Sequence, residues 1–452
     1  MKLAQALRLK PAEVIAFVGG GGKTTAMFGL AAELAQQKRR VLTTTSTRIF
    51  AAQIKRAPAH VTFDPARQRL ADILPQLEAA LDQQGQVLLI GQVEASSGKA
   101  WGIKPEVIDA LAATGHFEVI LNEADGSRMR PFKAPAAHEP VIPASTSLVV
   151  PVVGLDVLGQ PLDDEQVHRA ELVSRVSGLA LGAPITPTTI AAVLVHPQGG
   201  LKNAPPAARV IPLLNKIGNP ARLAAARQIA AELLQASSID SVALGAVQSA
   251  ANPIHQLWSR SGLVVLAAGG SSRFGSPKQL ARWQGQTFIE RAVDTALAAA
   301  AGQPVVVVLG AEIEQSRALL KDKPIEIIIN HRWGQGQSTS MQAGLAALPG
   351  HVGSAIFVLV DLPQLTPDVL TALIDRHRQT LAPIVWPEFE GQRGNPVLFD
   401  RALFPELKQI RGDTGGRALI KMYAAQAERV AVENPAVLQD FDRPEDLAEA
   451  HG

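Results

Sequence analysis

The sequence predicts an α/β protein of two domains, each built on a mostly parallel sheet. Apolar runs of strand length alternate with Ala- and Leu-rich segments of helical length along both halves of the chain. The chain has 452 residues, more than one hydrophobic core usually serves. Residues 248–262 lack periodicity and carry Asn-Pro and Ser-Gly turn signals. We therefore predict domains over 1–250 and 262–452, joined by a linker over 251–261.

The apolar runs and the helical periodicities place the individual elements. Strands are predicted over 14–18, 40–44, 86–90, 117–122, 147–153, 210–214, 241–246, 262–266, 304–309, 326–329, 354–360 and 382–386. Helices are predicted over 23–37, 68–83, 104–114, 164–179, 220–235, 288–300, 313–320, 341–348, 367–379 and 415–423. This alternation is typical of parallel sheets covered by helices.

The composition argues against several classes of protein. A formal net charge of +2 and an aromatic fraction of 4% do not indicate a nucleic-acid or polybasic membrane binder. The absence of Cys excludes disulfides, thiolate metal sites and Cys nucleophiles. No signal-peptide core and no apolar run long enough to span a bilayer is present in the sequence. We expect a cytoplasmic protein with no nucleic-acid or membrane partner.

A glycine-rich stretch, LAAGGSSRFGSPK over 266–278, follows an apolar run in the second half. Gly269 and Gly270 have no Cβ, so their backbone N–H groups could approach an anion closely. Arg273 and Lys278 could then neutralise phosphate charge. The alternative is a polar crossover loop with two solvated cations.

Two carboxylates of the second half are candidate metal ligands. Asp361 ends the apolar run of SAIFVLVDLP, and ligand sites of open α/β folds lie at that edge of the sheet. Standing alone, Asp361 could instead cap the next turn. Asp442 in DFDRPEDL could return to the site as a second ligand of Mg²⁺, whereas its acidic neighbours are expected to cap or solvate a last helix.

Three further loops are suited to ligands. NHRWGQGQSTSMQAG places Gly336 and Ser338 at the start of a predicted helix, which could hold a base, a ribose or a phosphate, or could simply be N-capped. RGNP over 393–396 and RGDTGGR over 411–417 combine glycines with cations. These two loops suit a second, anionic substrate.

In this order, these segments resemble the molybdenum cofactor cytidylyltransferase family, a branch of the nucleotidyltransferases that carry LAAGxSxRMGxxK. The resemblance covers 262–447 and implies a Rossmann-like, GT-A-like domain. It implies Mg²⁺-dependent transfer of CMP from CTP to the phosphate of molybdopterin, which gives the cytosine dinucleotide cofactor and pyrophosphate. A sister family that uses GTP typically reads LAGG, and the methyl of Ala268 here leaves less room beside the base. Phe274 replaces the usual Met, and we expect it to pack.

The resemblance implies a role for each matching residue. Arg273 and Lys278 would stabilise charge on the α-phosphate and the pyrophosphate, while Asp361 and Asp442 would hold Mg²⁺. The nucleotide would bind along Leu266, Ala267, Ala268, Gly269, Gly270 and Ser271, with its phosphates cradled by the backbone amides around residues 269–272. The nucleoside would face Asn330, Gly336 and Ser338. The pterin side is expected at Arg393, Asn395, Asp413 and Arg417.

The first half carries a phosphate-loop pattern in VIAFVGGGGKTT. A predicted strand is followed by glycines, one cation and a helix start, here Gly20, Gly21, Gly22, Lys23 and Thr24. The pattern is not a full Walker A motif, because Phe17 stands where that motif needs Gly. The loop is therefore shorter or differently wound, and the alternative is a glycine-rich turn capped by Thr24.

Further polar residues follow predicted strands of the first half. Glu123 and Asp125 in EVILNEADGSR resemble a Walker B end, with a metal ligand and a water-positioning carboxylate. Nearby His138 and Glu139 fit either the site or a structural salt-bridge network. Asn215-Lys216 in LLNK resembles the guanine-reading NKxD motif, but Gly218 replaces its Asp, so guanine specificity is unsupported.

The stretches GGGGKTT, TSTRIF, NEADGSRMRPFKAPAAHEP, GLDVLGQPL and LLNK together resemble the YqeC-type family over 14–246. Its members are described as accessory proteins of selenium-dependent molybdenum hydroxylases. The resemblance implies nucleotide binding in cofactor maturation, with an apo molybdenum hydroxylase as a possible partner. A fusion raises the effective concentration of each domain for a cofactor that passes between them.

Two other functions remain open at this point. The second half could be a nucleotidyltransferase that acts on another phosphorylated small molecule, such as a sugar phosphate, or that uses GTP. Alternatively, the chain could be a nucleotide-switched carrier that inserts the cofactor into a hydroxylase. A carrier predicts slow nucleotide turnover and nucleotide-dependent affinity for the apo hydroxylase, whereas a transferase releases pyrophosphate without a partner protein.

Overall fold

The computed structural model describes residues 1–94, 98–249, 251–270, 274–412 and 416–449 of the chain. The chain forms two compact units, Met1–Trp258 (unit 1) and Ser259–Gly452 (unit 2). Most of the predicted linker is not a loop, because residues 254–261 belong to the strand Ile254–Ala267. The turn signal at Asn252-Pro253 directly precedes this strand and does not interrupt it.

Unit 1 contains strands and helices in the predicted alternation. Its strands are β1 (Glu13–Gly19), β2 (Val41–Thr45), β3 (Arg48–Phe50), β4 (His60–Thr62), β5 (Gln86–Ile90), β6 (Val93–Glu94), β7 (Lys99–Trp101), β8 (Val119–Glu123), β9 (Phe132–Lys133), β10 (Leu148–Gly154), β11 (Val167–His168), β12 (Arg209–Val210), β13 (Leu213–Asn215) and β14 (Ser241–Gly245). Its helices are α1 (Leu3–Ala6), α2 (Lys23–Gln36), α3 (Ala51–Ile54), α4 (Leu70–Gln84), α5 (Pro105–Ala113), α6 (Ala170–Ser177), α7 (Pro187–Val195) and α8 (Pro220–Leu233).

The main sheet of unit 1 is parallel, in the order β4-β5-β2-β8-β1-β10-β13-β14, with β12 also beside β10. Strand β1 lies in its middle and is buried along nearly its whole length. Because the carboxyl ends of parallel strands share one edge, Gly19, Glu123 and Asn215 are brought to the same edge of the sheet. That edge is where the candidate residues of the first half meet.

Two small sheets lie outside this main sheet. Strands β3, β7 and β6 form a three-stranded antiparallel sheet, and β9 pairs with β11 in parallel. Each of these strands has only two or three residues, too few to show an alternating pattern in the sequence. None of these five strands is therefore predicted from the sequence.

Helix α7 was also missed, although it begins with a capping motif. The side chain of Thr186 accepts a hydrogen bond from the backbone N–H of Thr189, and Pro187 occupies the first turn. Its residues PTTIAAVLV are apolar almost all round, so the helix lacks the one-sided pattern of a surface helix. Ile190 and Leu194 are buried in the same core cluster as Ile229 of α8.

The boundary between the units falls within the strand Ile254–Ala267, and most residues of that strand belong to unit 2. Its strands are β15 (Ile254–Ala267), β16 (Arg282–Trp283), β17 (Gln286–Thr287), β18 (Val305–Leu309), β19 (Glu326–Ile329), β20 (Val352–Leu359), β21 (Ile384–Phe389), β22 (Gln392–Arg393), β23 (Val397–Asp400) and β24 (Glu428–Ala431). Its helices are α9 (Phe288–Ala300), α10 (Ile313–Leu319), α11 (Gln337–Ala347), α12 (Pro367–Thr380), α13 (Phe404–Leu407), α14 (Arg417–Met422) and α15 (Pro444–Glu449).

The main sheet of unit 2 is mixed, in the order β19-β18-β15-β20-β23-β21-β24. Strands β15, β18, β19 and β20 are parallel, and β23 runs against β20 and β21. Helix α11 packs closely on this sheet, since a Cβ at Gly344 would lie 2.3 Å from Cγ1 of Val264. This close approach brings the start of α11 to the carboxyl edge of β15.

Candidate functional site

A cleft of about 480 Å³ lies in unit 2 at the carboxyl ends of β15 and β20. It brings together seven of the residues predicted from sequence, namely Leu266, Ala268, Gly269, Gly270, Lys278, Gly336 and Asp361. The other lining residues are Gln279, Trp333, Gly334, Gln337, Ser340, Leu359 and Val360. Segments far apart in sequence thus meet in one cleft, because they follow parallel strands of one sheet.

Lys278 connects the two carboxylates that were predicted to bind metal. Its Nζ lies 3.2 Å from Oδ2 of Asp361 and 2.6 Å from Oδ1 of Asp442. Burial raises the pKa of Asp361; the positive charge of Lys278 opposes this shift, and the nearby carboxylates of Asp440 and Asp442 reinforce it. Oδ1 of Asp361 is buried, and no described residue forms a hydrogen bond with it. This oxygen is therefore available to an additional ligand.

The donor set fits a divalent cation that is shared with a substrate. Across the described residues, no group of three or more His, Asp or Glu side chains could hold a metal ion. Asp361 and Asp442 would supply one or two oxygens, and substrate phosphates the remainder, which is the usual arrangement for Mg²⁺. The orphaned Oδ1 of Asp361 is the observation that supports this fit.

Trp333 lines this cleft, although it was not among the predicted site residues. A Cβ at Gly270 would lie 2.9 Å from Cη2 of its indole, and a Cβ at Gly310 would lie 2.7 Å from Cγ. The absence of side chains at these two glycines therefore lets the indole approach the backbone. Trp333 is 38% exposed, so part of the ring remains open to a ligand. The signal in the sequence that could have indicated Trp333 is its position as an aromatic residue in the glycine-rich stretch WGQG.

Three predicted nucleotide-binding residues do not line the cleft. Ala267 is buried in the core of the sheet, and Ser338 is buried in the first turn of α11. The side chain of Asn330 donates to Oγ1 of Thr339 at 2.8 Å and to Oγ of Ser340 at 3.0 Å. Its Oδ1 accepts from the backbone N–H of Arg332 at 3.0 Å. Asn330 thus holds the start of α11 in place beside the cleft.

Of the residues expected on the pterin side, Arg393 lies on β22, Asn395 lies between β22 and β23, and Arg417 begins α14. Arg393 is exposed on β22, where partial burial of its guanidinium and then the charge of Arg417 lower its pKa. The two guanidinium groups therefore share one neighbourhood. The backbone N–H of Asn395 donates to the carbonyl oxygen of Val437 at 2.8 Å. Three other predicted residues, Ser271, Arg273 and Asp413, lie outside the described residues.

Two structural expectations around this cleft are met. Phe274 is buried and packs edge-on against Phe288, with ring centroids 6.4 Å apart, as expected for a packing role. Asp446 lies in the first turn of α15, and its Oδ2 accepts from the backbone N–H groups of Asp442 and Arg443 at 2.7 Å each. Asp446 is therefore a helix-capping residue that also positions Asp442.

In unit 1, the glycine loop between β1 and α2 is fixed by its own backbone. The N–H groups of Gly20 and Gly21 donate to the carbonyl oxygens of Val152 and Arg130, at 2.9 and 3.1 Å. The N–H of Gly19 donates to both carboxylate oxygens of Asp125 at 3.1 Å. These amides are therefore used within the protein and do not form a cradle for a bound phosphate. The N–H groups of the first turn of α2, which follows the side-chain-free N-cap Gly22, remain for that purpose.

Lys23 and Thr24 point toward the ends of β1 and β8. Nζ of Lys23 donates to the carbonyl oxygen of Gly19 at 2.6 Å and lies 3.2 Å from Oδ1 of Asp125. Oγ1 of Thr24 donates to Oε2 of Glu123 at 2.7 Å. Burial raises the pKa of Glu123, although Lys23 counteracts this shift. The residues predicted by the two Walker-like stretches thus form one connected cluster.

This cluster continues into a buried chain of ion pairs. Nζ of Lys133 lies 2.9 Å from Oδ2 of Asp125 and 2.7 Å from Oε2 of Glu139. Nη1 of Arg169 donates to the same oxygen of Glu139 at 2.5 Å. Burial alone would raise the pKa of Glu139, but the hydrogen bond from Arg169 and the charge of Lys133 lower it to about 2. Glu139 is therefore ionised near neutral pH and belongs to a structural network.

Asn215 supports the glycine loop of unit 1 directly. Its Nδ2 donates to the carbonyl oxygen of Gly21 at 2.8 Å, and its Oδ1 accepts from the backbone N–H of Val247 at 3.0 Å. A Cβ at Gly22 would lie 2.4 Å from that Nδ2. The adjacent Lys216 donates to Oδ2 of Asp156 at 2.7 Å. Both ends of the Asn215 amide are thus occupied by the backbone.

The glycine loop borders a larger cleft of about 710 Å³ in unit 1. The cleft begins at the start of α2 and extends to the three-stranded sheet β3-β7-β6. Its lining residues are Gly21, Gly22, Lys23, Thr24, Thr25, Ser46, Thr47, Arg48, Phe50, Gln53, Arg56, Lys99, Trp101, Gly102, Glu123, Gly126, Ser127, Arg128, Met129, His138, Glu139, Val141, His168, Arg169 and Lys216.

Two α/β units, each with polar residues gathered at the carboxyl edge of its sheet, define a two-domain α/β protein with a candidate ligand site in each unit. Residues 15–171 match the model of the YqeC protein family, and residues 263–430 match that of the MobA-like NTP transferase domain. The chain belongs to the YqeC family through its first half and carries a MobA-like NTP transferase domain in its second half. The predicted fusion of these two domains is confirmed.

Three relatives illustrate this relationship. YqeC of Escherichia coli K12 is 35% identical over 235 residues, which are 52% of this chain and 88% of the relative. Nicotine blue oxidoreductase of Paenarthrobacter nicotinovorans is 30% identical over 192 residues, 41% of this chain and 93% of the relative. A probable molybdenum cofactor guanylyltransferase of Bacillus cereus Q1 is 31% identical over 137 residues, 30% of this chain and 64% of the relative.

In the described ranges, no helix has the length and apolar character needed to cross a bilayer.

Proposed function

We propose that unit 2 transfers CMP from CTP to the phosphate of molybdopterin, with release of pyrophosphate. The observation that carries this proposal is the cleft where Asp361, with its orphaned buried Oδ1, and Lys278 meet the glycine loop after β15. The MobA-like family assignment and the Bacillus cereus relative support a molybdenum cofactor substrate. The RGNP and GDTGGR stretches support the same branch.

In the proposed reaction, an oxygen of the pterin phosphate attacks the α-phosphorus of CTP, and the bond from that phosphorus to the departing pyrophosphate oxygen breaks. Positioning and charge neutralisation carry the catalysis, because little proton transfer is needed. Lys278 contributes positive charge beside the phosphates, and Arg393 and Arg417 hold the anionic acceptor. A bound Mg²⁺, held by Asp361 and Asp442, would neutralise the triphosphate.

The lining of the cleft supports CTP as the nucleotide. Ala268 is only 3% exposed and lines the cleft together with Leu266 and Trp333. Its carbonyl oxygen accepts from the backbone N–H of Ala311 at 3.0 Å, so the backbone there is fixed. A methyl group on a fixed backbone narrows the space beside the base, which favours a pyrimidine.

The test is pyrophosphate release by the full chain with Mg²⁺, molybdenum cofactor and CTP, GTP or ATP in separate reactions. We expect release with CTP only, and we expect Ala268→Gly to admit GTP while keeping CTP activity within a few-fold. Ala281→Gly, outside the cleft, is the matched control and should keep the preference for CTP. Release with GTP by the unaltered chain would show that the interpretation of Ala268 is wrong. No release with any nucleotide would reject the transferase proposal.

Trp333 should affect nucleotide binding more than turnover. Stacking of a base on an aromatic ring contributes about 1–3 kcal/mol, so Trp333→Ala should raise the KM for CTP roughly tenfold. Trp333→Phe keeps a ring and should stay within about threefold. Initial rates of pyrophosphate release at varied CTP measure both variants. A fall in kcat with unchanged KM would show that the indole only supports the loop at Gly270.

For unit 1, we propose that the start of α2 binds the phosphate groups of a nucleotide, as part of a role in the maturation of a molybdenum hydroxylase. The first-turn N–H groups of α2 and the hydroxyl of Thr24 support this phosphate site, and the carboxylate of Glu123, which accepts from that hydroxyl, would hold a divalent cation shared with the phosphates. The YqeC family assignment supports an accessory role, with an apo hydroxylase as partner. The test of the phosphate site is the calorimetric binding of tripolyphosphate to the full chain. We expect this binding to be lost in Thr24→Val.

A further inference from the structure

The cleft of unit 1 extends well beyond the proposed phosphate site. At the sheet β3-β7-β6 it is lined by Arg48, Phe50, Lys99 and Trp101, here called the aromatic edge. Phe50 is 47% exposed and Trp101 is 45% exposed. Large apolar side chains on the wall of a polar cleft are typical of a surface that receives a flat ligand.

Each ring of the aromatic edge lies next to a cation. The guanidinium carbon of Arg48 is 3.5 Å from the centroid of the Trp101 ring, and Nζ of Lys99 is 5.3 Å from that of Phe50. Such pairs hold both partners in place through cation–π attraction. Arg48 covers one face of the Trp101 ring. The exposed parts of both rings and the positive charge beside them suit a planar heterocycle that carries negative charge.

The turn at 127–130 brings a further cation and an apolar side chain to this cleft. The backbone N–H of Arg130 donates to the carbonyl oxygen of Ser127 at 2.9 Å, which closes the turn. Arg128 and Met129, at its two central positions, have φ angles of +49° and +65°. This left-handed conformation costs roughly 1–2 kcal/mol per residue without glycine. Strained non-glycine residues of this kind concentrate at ligand sites.

The charges on the cleft wall are strongly unequal. Two Glu side chains line the cleft, and Glu139 already pairs with Lys133 and Arg169. Within the described part of the chain, four lining cations have no carboxylate partner: Arg48, Arg56, Lys99 and Arg128. Burial lowers the pKa of His168, and the positive charges of Arg169, Lys133 and Arg128 lower it further, to about 4. Arg128 thus lies close enough to act on His168 electrostatically. This excess of positive charge favours binding of an anionic ligand that carries more than one phosphate group.

We propose that the unit 1 cleft binds a planar heterocycle carrying two or more phosphate groups, with the phosphates at the start of α2 and the ring at the aromatic edge. Arg128 neutralises the part of the ligand between these two ends. The inference rests on the proposed phosphate site and extends it to the ring. Nucleoside triphosphates and pterin phosphates share this chemistry, and the test separates them.

The test uses the full chain with Trp333→Phe, which removes the tryptophan of the unit 2 cleft as a reporter. ATP, GTP, CTP and neopterin triphosphate are titrated separately with Mg²⁺, and tryptophan fluorescence is measured. We expect quenching by at least one of these probes, lost when Trp101→Phe is added. The probe that binds most tightly identifies the heterocycle.

Arg128→Gly is the decisive variant, because it removes the charge and relieves the left-handed backbone. It should weaken binding of the heterocycle at least tenfold while the melting temperature stays equal or rises. Arg67→Ala, a highly exposed arginine outside the cleft, should change binding less than twofold. Unchanged binding in Arg128→Gly would overturn the proposal.

Tripolyphosphate separates the two halves of the inference. If its calorimetric binding depends on Thr24 but no heterocycle changes the emission of Trp101, the phosphate site stands and the ring site is overturned. If tripolyphosphate and all heterocycles fail to bind unit 1, both are overturned. If tripolyphosphate binds as tightly as every heterocycle, the ring contributes nothing and the inference fails.

Discussion

Asp361→Asn is expected to reduce pyrophosphate release by about a thousandfold, the upper range for loss of one charge-stabilising group. The variant keeps the shape of the side chain but removes the negative charge that a cation on the triphosphate needs. Oδ1 of Asp361 is buried and has no hydrogen-bond partner among the described residues, so the substitution breaks no hydrogen bond of the described structure at that atom. Steady-state rates at saturating CTP and Mg²⁺ measure the effect.

Asp440→Asn is the matched control for this variant. Asp440 lies close enough to influence Asp361 electrostatically, but it does not line the cleft. It should therefore change the rate by no more than a few-fold. If Asp361→Asn retains more than a tenth of the rate while the protein is folded, Asp361 is not part of the catalytic centre.

Lys133→Met should destabilise unit 1 by about 3–5 kcal/mol, the usual cost of breaking a buried ion pair from one side. The side chain of Lys133 has no exposed surface, and it neutralises both Asp125 and Glu139. Methionine has no charge, so the negative charges of Asp125 and Glu139 lose a buried positive partner. Calorimetric or urea unfolding of the full chain, following the transition of unit 1, measures the loss.

The comparison for Lys133→Met is Lys216→Met in the same unit. Lys216 also forms an ion pair of 2.7 Å, with Asp156, but its side chain is 38% exposed. Exposed pairs contribute about 0–1 kcal/mol, so this variant should be nearly neutral. Equal losses in the two variants would show that burial does not govern the contribution of Lys133.

The glycine loop after β15 and Asp361 could be predicted from sequence because a simple geometric rule connects them. Each follows a continuous apolar run, and the carboxyl ends of parallel strands share one edge of a sheet. The same rule explains why Lys23, Thr24, Glu123 and Asp125, which belong to two separately predicted Walker-like stretches, lie together in the structure. Neither prediction required knowledge of side-chain packing.

Other features could not be predicted because they depend on contacts between distant residues. The position of Trp333 follows from the bare backbone of Gly270 and Gly310, and no local pattern links these positions. Asn215 was expected to face a nucleotide, yet its amide is used by the backbone of Gly21 and Val247. The strand over 254–267 was shortened in the prediction because its turn signals were given too much weight.

The position of Lys278 between Asp361 and Asp442 has a thermodynamic consequence. Without substrate, the lysine already compensates the two carboxylates, so a free cation would have to compete with its ammonium group. A triphosphate gives that ammonium group another anion to approach, which releases the carboxylates. Metal ion and nucleotide should therefore bind with positive cooperativity, and linkage requires each to raise the affinity of the other by the same factor. Such coupling would keep the site from being filled by the metal ion alone.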